Sequence, residues 1–168
     1  MPKMSAESAS GQFPVEAVAA MARVCLGAEQ EPTTTRSQHR LGETFSRCDE
    51  TIALATMYAA NHFPGIKAII SLTESGHTPL IMSRIRSGVP IYCYTRHAGT
   101  QRRAALFRGV YTVPFDAAKM DPSEVSDAAI QKLKERSLLK EGDWIILTKG
   151  DFYKNSGGTN GMKILKVG

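Results

Sequence analysis

Five short apolar runs, separated by stretches with helical spacing, set the architecture this sequence can adopt. They are Ile66–Leu72, Val89–Tyr94, Val110–Val113, Trp144–Leu147 and Met162–Val167. The first four are nearly continuous and rich in β-branched or aromatic residues. That is the pattern of strands covered on both faces, and hence of a mainly parallel sheet. The fifth alternates polar with apolar residues, as an edge strand does, and is expected to run antiparallel.

Helical patterns fill the gaps. From Pro14, the positions Val15, Val18, Ala19, Ala22, Cys25 and Leu26 keep one apolar stripe. The segment from Glu50 to Asn61 is apolar nearly all round, which predicts burial in the core or at a subunit contact. A further helix is expected from Pro79 through Ser87. Asp121-Pro122-Ser123-Glu124 reads as a helix start with Asp121 as N-cap. Val125, Ala129 and Leu133 would then face inward, with Gly142 just past the end. Strand–helix alternation implies right-handed crossovers and helices on both sheet faces. The expected fold is a three-layer α/β/α sandwich around a five-stranded, mostly parallel sheet. The first ten or so residues match no element, and residues 36–45 read as a polar connection.

The 168 residues correspond to one domain. Apolar residues make up 42% and charged residues 22%, which argues against disorder. No apolar run approaches the ~20 residues of a bilayer span, and Met1 to Glu7 lacks the apolar stretch of a signal peptide. No membrane association is therefore expected. The three cysteines, Cys25, Cys48 and Cys93, form no CxxC pair and read as reduced, packed thiols of a cytoplasmic protein.

Net charge is +5, and its distribution is uneven. Between Glu74 and Asp116 there is no carboxylate, whereas Arg84, Arg86, Arg96, Arg102, Arg103, Arg108, His77 and His97 all fall there. Such a stretch favours an anionic partner; the other reading is a basic surface balanced by acids folded against it. Arg102-Arg103 with Phe107 has the composition of an RNA-binding patch. Aromatic content of only 7%, and arginines that flank apolar helix positions, argue against nucleic acid.

Two segments carry candidate chemistry. Ser71 to Pro79 (SLTESGHTP) begins at a strand end and runs into a helix, where ligands of open α/β sheets bind. Gly76 lets the backbone close on a phosphate; Thr73, Ser75 and Thr78 offer hydroxyls and His77 an imidazolium. The alternative is an ordinary turn whose Ser and Thr cap the helix. The second segment, Lys149 to Gly161, holds four glycines and two lysines between the last two strands. It can wrap an anion with backbone N–H groups, or serve only as a long hairpin connection. The histidines at 39, 62, 77 and 97 lack metal-ligand spacing, and no GxSxG, GxxxxGK[ST] or HExxH occurs. No catalytic or metal residue is assigned.

These motifs together resemble one family. The run Ser5 to Val18 (SAESASGQFPVEAV) is similar to the segment of pyruvate kinases that joins the last barrel strand to the C-terminal domain. Ala59-Ala60-Asn61, Thr73-Glu74-Ser75-Gly76, Ser83-Arg84, Val89-Pro90-Ile91, Thr95-Arg96-His97, Arg108-Gly109-Val110 and Gly150-Asp151 keep the order expected of that domain. The resemblance is to bacterial enzymes activated by sugar monophosphates or AMP. It implies residues 1–13 as the end of the barrel connection and 14–168 as the C-terminal domain of a glycolytic homotetramer. The family transfers phosphate from phosphoenolpyruvate to ADP with magnesium and potassium, using residues of the barrel. Those lie upstream of Met1, so a truncated piece, inactive alone, is expected. The resemblance implies an effector phosphate held by Thr73, Ser75, Gly76, His77 and Thr78, with Gly157, Gly158 and Thr159 of the glycine-rich loop closing over it. His77 stands where Lys or Arg is common. Glu74 replaces the Lys of fructose-bisphosphate-responsive animal enzymes, which points to a monophosphorylated effector. A stand-alone, non-catalytic sugar-phosphate-binding module is the alternative.

Overall fold

The structure is a computed structural model that describes residues 5–30, 44–150 and 158–168. The chain divides into two compact units, Met1–Ser37 and Gln38–Gly168. Within the first, α1 spans Ser5–Ala9 and α2 spans Pro14–Gln30. The expectation that the first ten residues match no element is corrected by α1, whose Ser10 N–H closes onto the Ala6 carbonyl at 3.0 Å. α2 starts on Pro14, whose missing N–H falls where a helix has no acceptor for it. None of its residues is buried, so the stripe holding Val15, Val18 and Leu26 is exposed.

The second unit runs α3 (Cys48–His62), β1 (Ile66–Leu72), α4 (His77–Ser83), β2 (Ile91–Thr95), α5 (Ala98–Ala104), β3 (Val110–Pro114), α6 (Val125–Lys134), β4 (Trp144–Lys149) and β5 (Gly161–Lys166). The sheet order is β3-β2-β1-β4-β5. β1 pairs in parallel with β2 and β4, β2 pairs in parallel with β3, and β4 pairs antiparallel with β5. The expected five-stranded, mostly parallel sheet with an antiparallel edge strand is what forms.

Each sheet face carries its own core. One packs Ile69, Ile91, Cys93 and Ile146 against Ala53 and Met57 of α3, Ile81 and Met82 of α4, and Ala104 of α5. The other packs Ala68, Ile70, Tyr94 and Leu147 against Val125, Ala129 and Leu133 of α6, all three fully buried. In β1 a register irregularity between Ile66 and Ala68 puts Ile66 and Ile69 in the same core, although strict alternation would separate them.

Several boundaries differ from the sequence reading. α6 begins at Val125, because the Asp121 carboxylate accepts the Ser123 N–H at 2.9 Å and closes its own turn ahead of the helix. That helix ends at Lys134; Ser137 takes φ 57°, and Gly142, at φ 86°, turns the chain into β4. α4 starts at His77 and stops at Ser83, where the Arg84 and Ile85 N–H groups bond the Ile81 and Met82 carbonyls in tightened turns. α3 buries one face only, leaving Tyr58 exposed. Of the cysteines Cys93 alone is packed, and burial pushes its thiol up to about 12, whereas Cys25 and Cys48 are exposed.

Candidate functional site

From β1 the chain passes outward to β2 and β3, then returns to β4 on the other side of β1. Ligands of open α/β sheets sit where that order reverses, beyond the strand carboxyl ends. The turn Thr73–Thr78 occupies this position. β1 delivers it: the Thr73 N–H still bonds the Tyr94 carbonyl of β2 at 3.0 Å. Gly76 then adopts φ 79°, a left-handed conformation that favours glycine. A Cβ there would also stand 3.0 Å from the Thr100 methyl, so a larger residue requires that side chain to give way.

The turn is closed by its own hydroxyls. Thr73 Oγ1 accepts the Gly76 N–H at 3.0 Å, and Ser75 Oγ accepts the His77 N–H at 3.3 Å. Each of these oxygens acts as an acceptor, which leaves its O–H proton for an external partner. Thr78, only 1% exposed, shares a hydroxyl–hydroxyl bond of 2.8 Å with the buried Thr159. Thr159 opens the return from the glycine-rich loop into β5, so that loop is tied to the turn at its far end. The described ends of that loop lie against each other: a Cβ on Gly150 would collide with the Gly158 carbonyl.

Of the residues singled out in the sequence, the fold brings Thr73, Ser75, Gly76, His77, Thr78 and Thr159 together, with Gly158 beside Thr159. Gly157 lies outside the described residues. His77, offered by the sequence as an imidazolium donor, lies against the start of α3. Its Nε2 is buried, has no hydrogen-bond partner among the described residues, and faces the Asp49 carboxylate at 3.6 Å.

Sequence reasoning missed the shell that holds the turn. Thr100 Oγ1 donates to the Glu74 carbonyl at 2.8 Å, and Arg103 reaches the Ser75 carbonyl at 3.5 Å, both from α5. The Glu74 carboxylate accepts from Arg96 Nε at 3.2 Å and pairs with His97 Nε2. Arg96 also stands 3.9 Å from Asp116. The acids at the two ends of the carboxylate-free interval thus fold back onto Arg96 within it. Asp49, 1% exposed, is gripped by Arg47 through Nε and Nη2 at 3.0 and 2.9 Å. The Arg47 hydrogen bond holds the Asp49 carboxyl below the usual carboxylate range, against the opposing effect of burial. The one available signal was Asp49 in the first turn of α3, where an acid is ordinarily solvated. Among the described residues no cluster of three or more His, Cys, Asp or Glu is placed to hold a metal ion. No described helix is long and apolar enough to cross a membrane.

This geometry sits inside a recognisable sequence frame. The family model described as "Pyruvate kinase, alpha/beta domain" matches residues 50–165. The chain belongs to the pyruvate kinase family. It is 49% identical to pyruvate kinase II of Salmonella typhimurium over 98% of its own length and 34% of that protein's. It is 45% identical to the pyruvate kinase of Haemophilus influenzae over 88% of its length and 30% of the other. With the pyruvate kinase of Geobacillus stearothermophilus the identity is 34%, over 96% and 27% respectively. The chain therefore spans about a third of the length of the curated pyruvate kinases it matches, and its match is to their C-terminal α/β domain.

Proposed function

We propose that this chain is the regulatory and oligomerisation portion of a cytoplasmic pyruvate kinase, and that the Thr73–Thr78 turn holds the phosphate of a sugar monophosphate or AMP. The longer protein would transfer the phosphoryl group of phosphoenolpyruvate to ADP, the last step of glycolysis, with magnesium and potassium bound outside this chain. The chain alone would be inactive. Tyr58, 48% exposed on the helix next to the site, is apolar surface for subunit contact in a tetramer.

The observation that carries the phosphate reading is the pair of hydroxyls, Thr73 Oγ1 and Ser75 Oγ, that accept the turn's own amides and keep their protons for a ligand. A single phosphate is favoured because the two basic side chains beside the turn, Arg96 and His97, are engaged by Glu74. A second phosphate would meet that carboxylate without gaining either side chain.

Calorimetry with glucose 6-phosphate, ribose 5-phosphate and AMP tests the reading. Ser75→Asp puts a carboxylate where the phosphate would sit, and should weaken the preferred effector at least about ten-fold, the worth of one charge-assisted hydrogen bond. Binding as tight as the parent's would remove the phosphate from this turn.

A further inference from the structure

His77 and His97 flank the Thr73–Thr78 turn, and each faces a carboxylate that an arginine already holds. On one side His77 Nε2, buried and without a hydrogen-bond partner among the described residues, stands 3.6 Å from the Asp49 carboxylate. Arg47 grips that same carboxylate through two hydrogen bonds. On the other side His97 Nε2 meets Glu74 Oε2, the oxygen that also accepts from Arg96 Nε at 3.2 Å. The two arrangements come from different elements: Arg47 and Asp49 from the start of α3, Arg96 and His97 from the passage between β2 and α5.

With both imidazoles neutral, the charges around them nearly cancel. Asp49 is matched by Arg47, and Glu50 of α3 also acts on that guanidinium. Glu74 is matched by Arg96, which stands 3.9 Å from Asp116, and Asp116 is matched by Lys119 at 3.4 Å. Arg103 of α5 adds one further cation, reaching the Ser75 carbonyl. A proton on either histidine is therefore added positive charge beside the turn, and each proton has a carboxylate to receive it. Histidine is the side chain whose charge changes between about pH 5 and 8.

We propose that the turn is proton-responsive: His77 and His97 take up protons as an anion binds there, so its affinity for that anion rises as pH falls. The inference rests on the phosphate reading above and adds its regulation. A phosphate at the turn favours the charged form of a nearby imidazole, and by linkage the charged imidazole favours the phosphate to the same extent. Protonated His97 offsets the Glu74 carboxylate that would otherwise repel the ligand, and protonated His77 does the same for Asp49. The effect requires no contact between imidazole and ligand.

The test is an NMR titration of this chain with glucose 6-phosphate from pH ~8.5 down to ~6.5. That range lies above the pH of about 6 at which a phosphate monoester takes up its own proton. Affinity should rise about five-fold or more across it. The double variant His77→Gln with His97→Gln should lose most of that rise, and each single variant part of it. The parent supplies a second measurement that stands even if the variants misfold: saturating glucose 6-phosphate should keep both imidazoles protonated to higher pH, read from their ring resonances. A flat affinity in the parent, an equal slope in parent and double variant, or ring titrations unmoved by ligand would each overturn the proton linkage and leave the phosphate site standing. A single variant with the parent's full slope removes that histidine from the linkage. Absence of binding at every pH overturns the phosphate reading and the linkage with it.

Discussion

The two flanks of β1 solve the same structural task with different chemistry. Toward β4 the cross-links are neutral and buried: Thr148 Oγ1 donates to Ser71 Oγ at 3.0 Å, and the Thr78 and Thr159 hydroxyls meet at 2.8 Å. Toward β2 and β3 they are ionic and solvated: Glu74 with Arg96 and His97, and Asp116 with Arg96 and with Lys119 at 3.4 Å. Dielectric explains the division. An ion pair in the dry flank would lose more hydration than it regains in attraction, whereas a hydroxyl pair satisfies both partners there. At the surface, ion pairs form readily but each contributes only about 0–1 kcal/mol. The buried flank therefore fixes the geometry of the turn, and the exposed flank sets the charge around it.

The sharpest way to break this contrast is Thr148→Val. It strands the Ser71 hydroxyl, which is fully buried, and should cost about 1–3 kcal/mol in urea denaturation. The double replacement Ser71→Ala with Thr148→Val should recover most of that loss, because both polar partners then disappear together. A single variant as stable as the parent would show that the buried flank is not held by this bond.

On the exposed flank, Arg96→Ala should change stability by no more than about 1 kcal/mol, and by less as salt rises. A larger loss than Thr148→Val produces would invert the comparison.

The smallest effect is confined to acid. Because Arg47 lowers the folded-state pKa of Asp49, that carboxylate's stabilising contribution is complete above its unfolded value of about 3.9 and disappears as pH falls through the lower folded value. Denaturation midpoints followed from pH 6 downward should fall less steeply below pH ~4 in Asp49→Asn than in the parent. Parallel curves would remove Asp49 from the acid response.

What the sequence disclosed divides along similar lines. β1 could be read to its ends because Ile66–Leu72 is a continuous apolar run, and the turn after it because strand ends in such sheets are where ligands bind. α6 was misplaced at its start because Asp121 has two local uses, helix cap and self-closed turn, and only the backbone after Pro122 chooses between them. The partners of the turn were invisible for another reason. Thr100 and Glu74 are 26 residues apart, and Arg96 and Glu74 are 22 apart. No spacing rule joins them before the sheet does. Nothing local to His77 reveals that a buried carboxylate on α3 lies 3.6 Å from its Nε2.

The central position of β1 also bears on how the domain is made. Its β4 neighbour lies far along the chain, with Ser71 and Thr148 separated by 77 residues. At a ribosomal rate of about 5–20 residues per second, β1 emerges roughly 4–15 s before the strand that covers its second edge. During that interval the strands β1, β2 and β3 are already available to one another, while the open edge of β1, with Ile69 and Ile70 beside it, is a template for any other extended chain nearby. The nascent domain is thus most vulnerable to mispairing at the strand that becomes its most protected, and release of β4 from the ribosome ends that exposure.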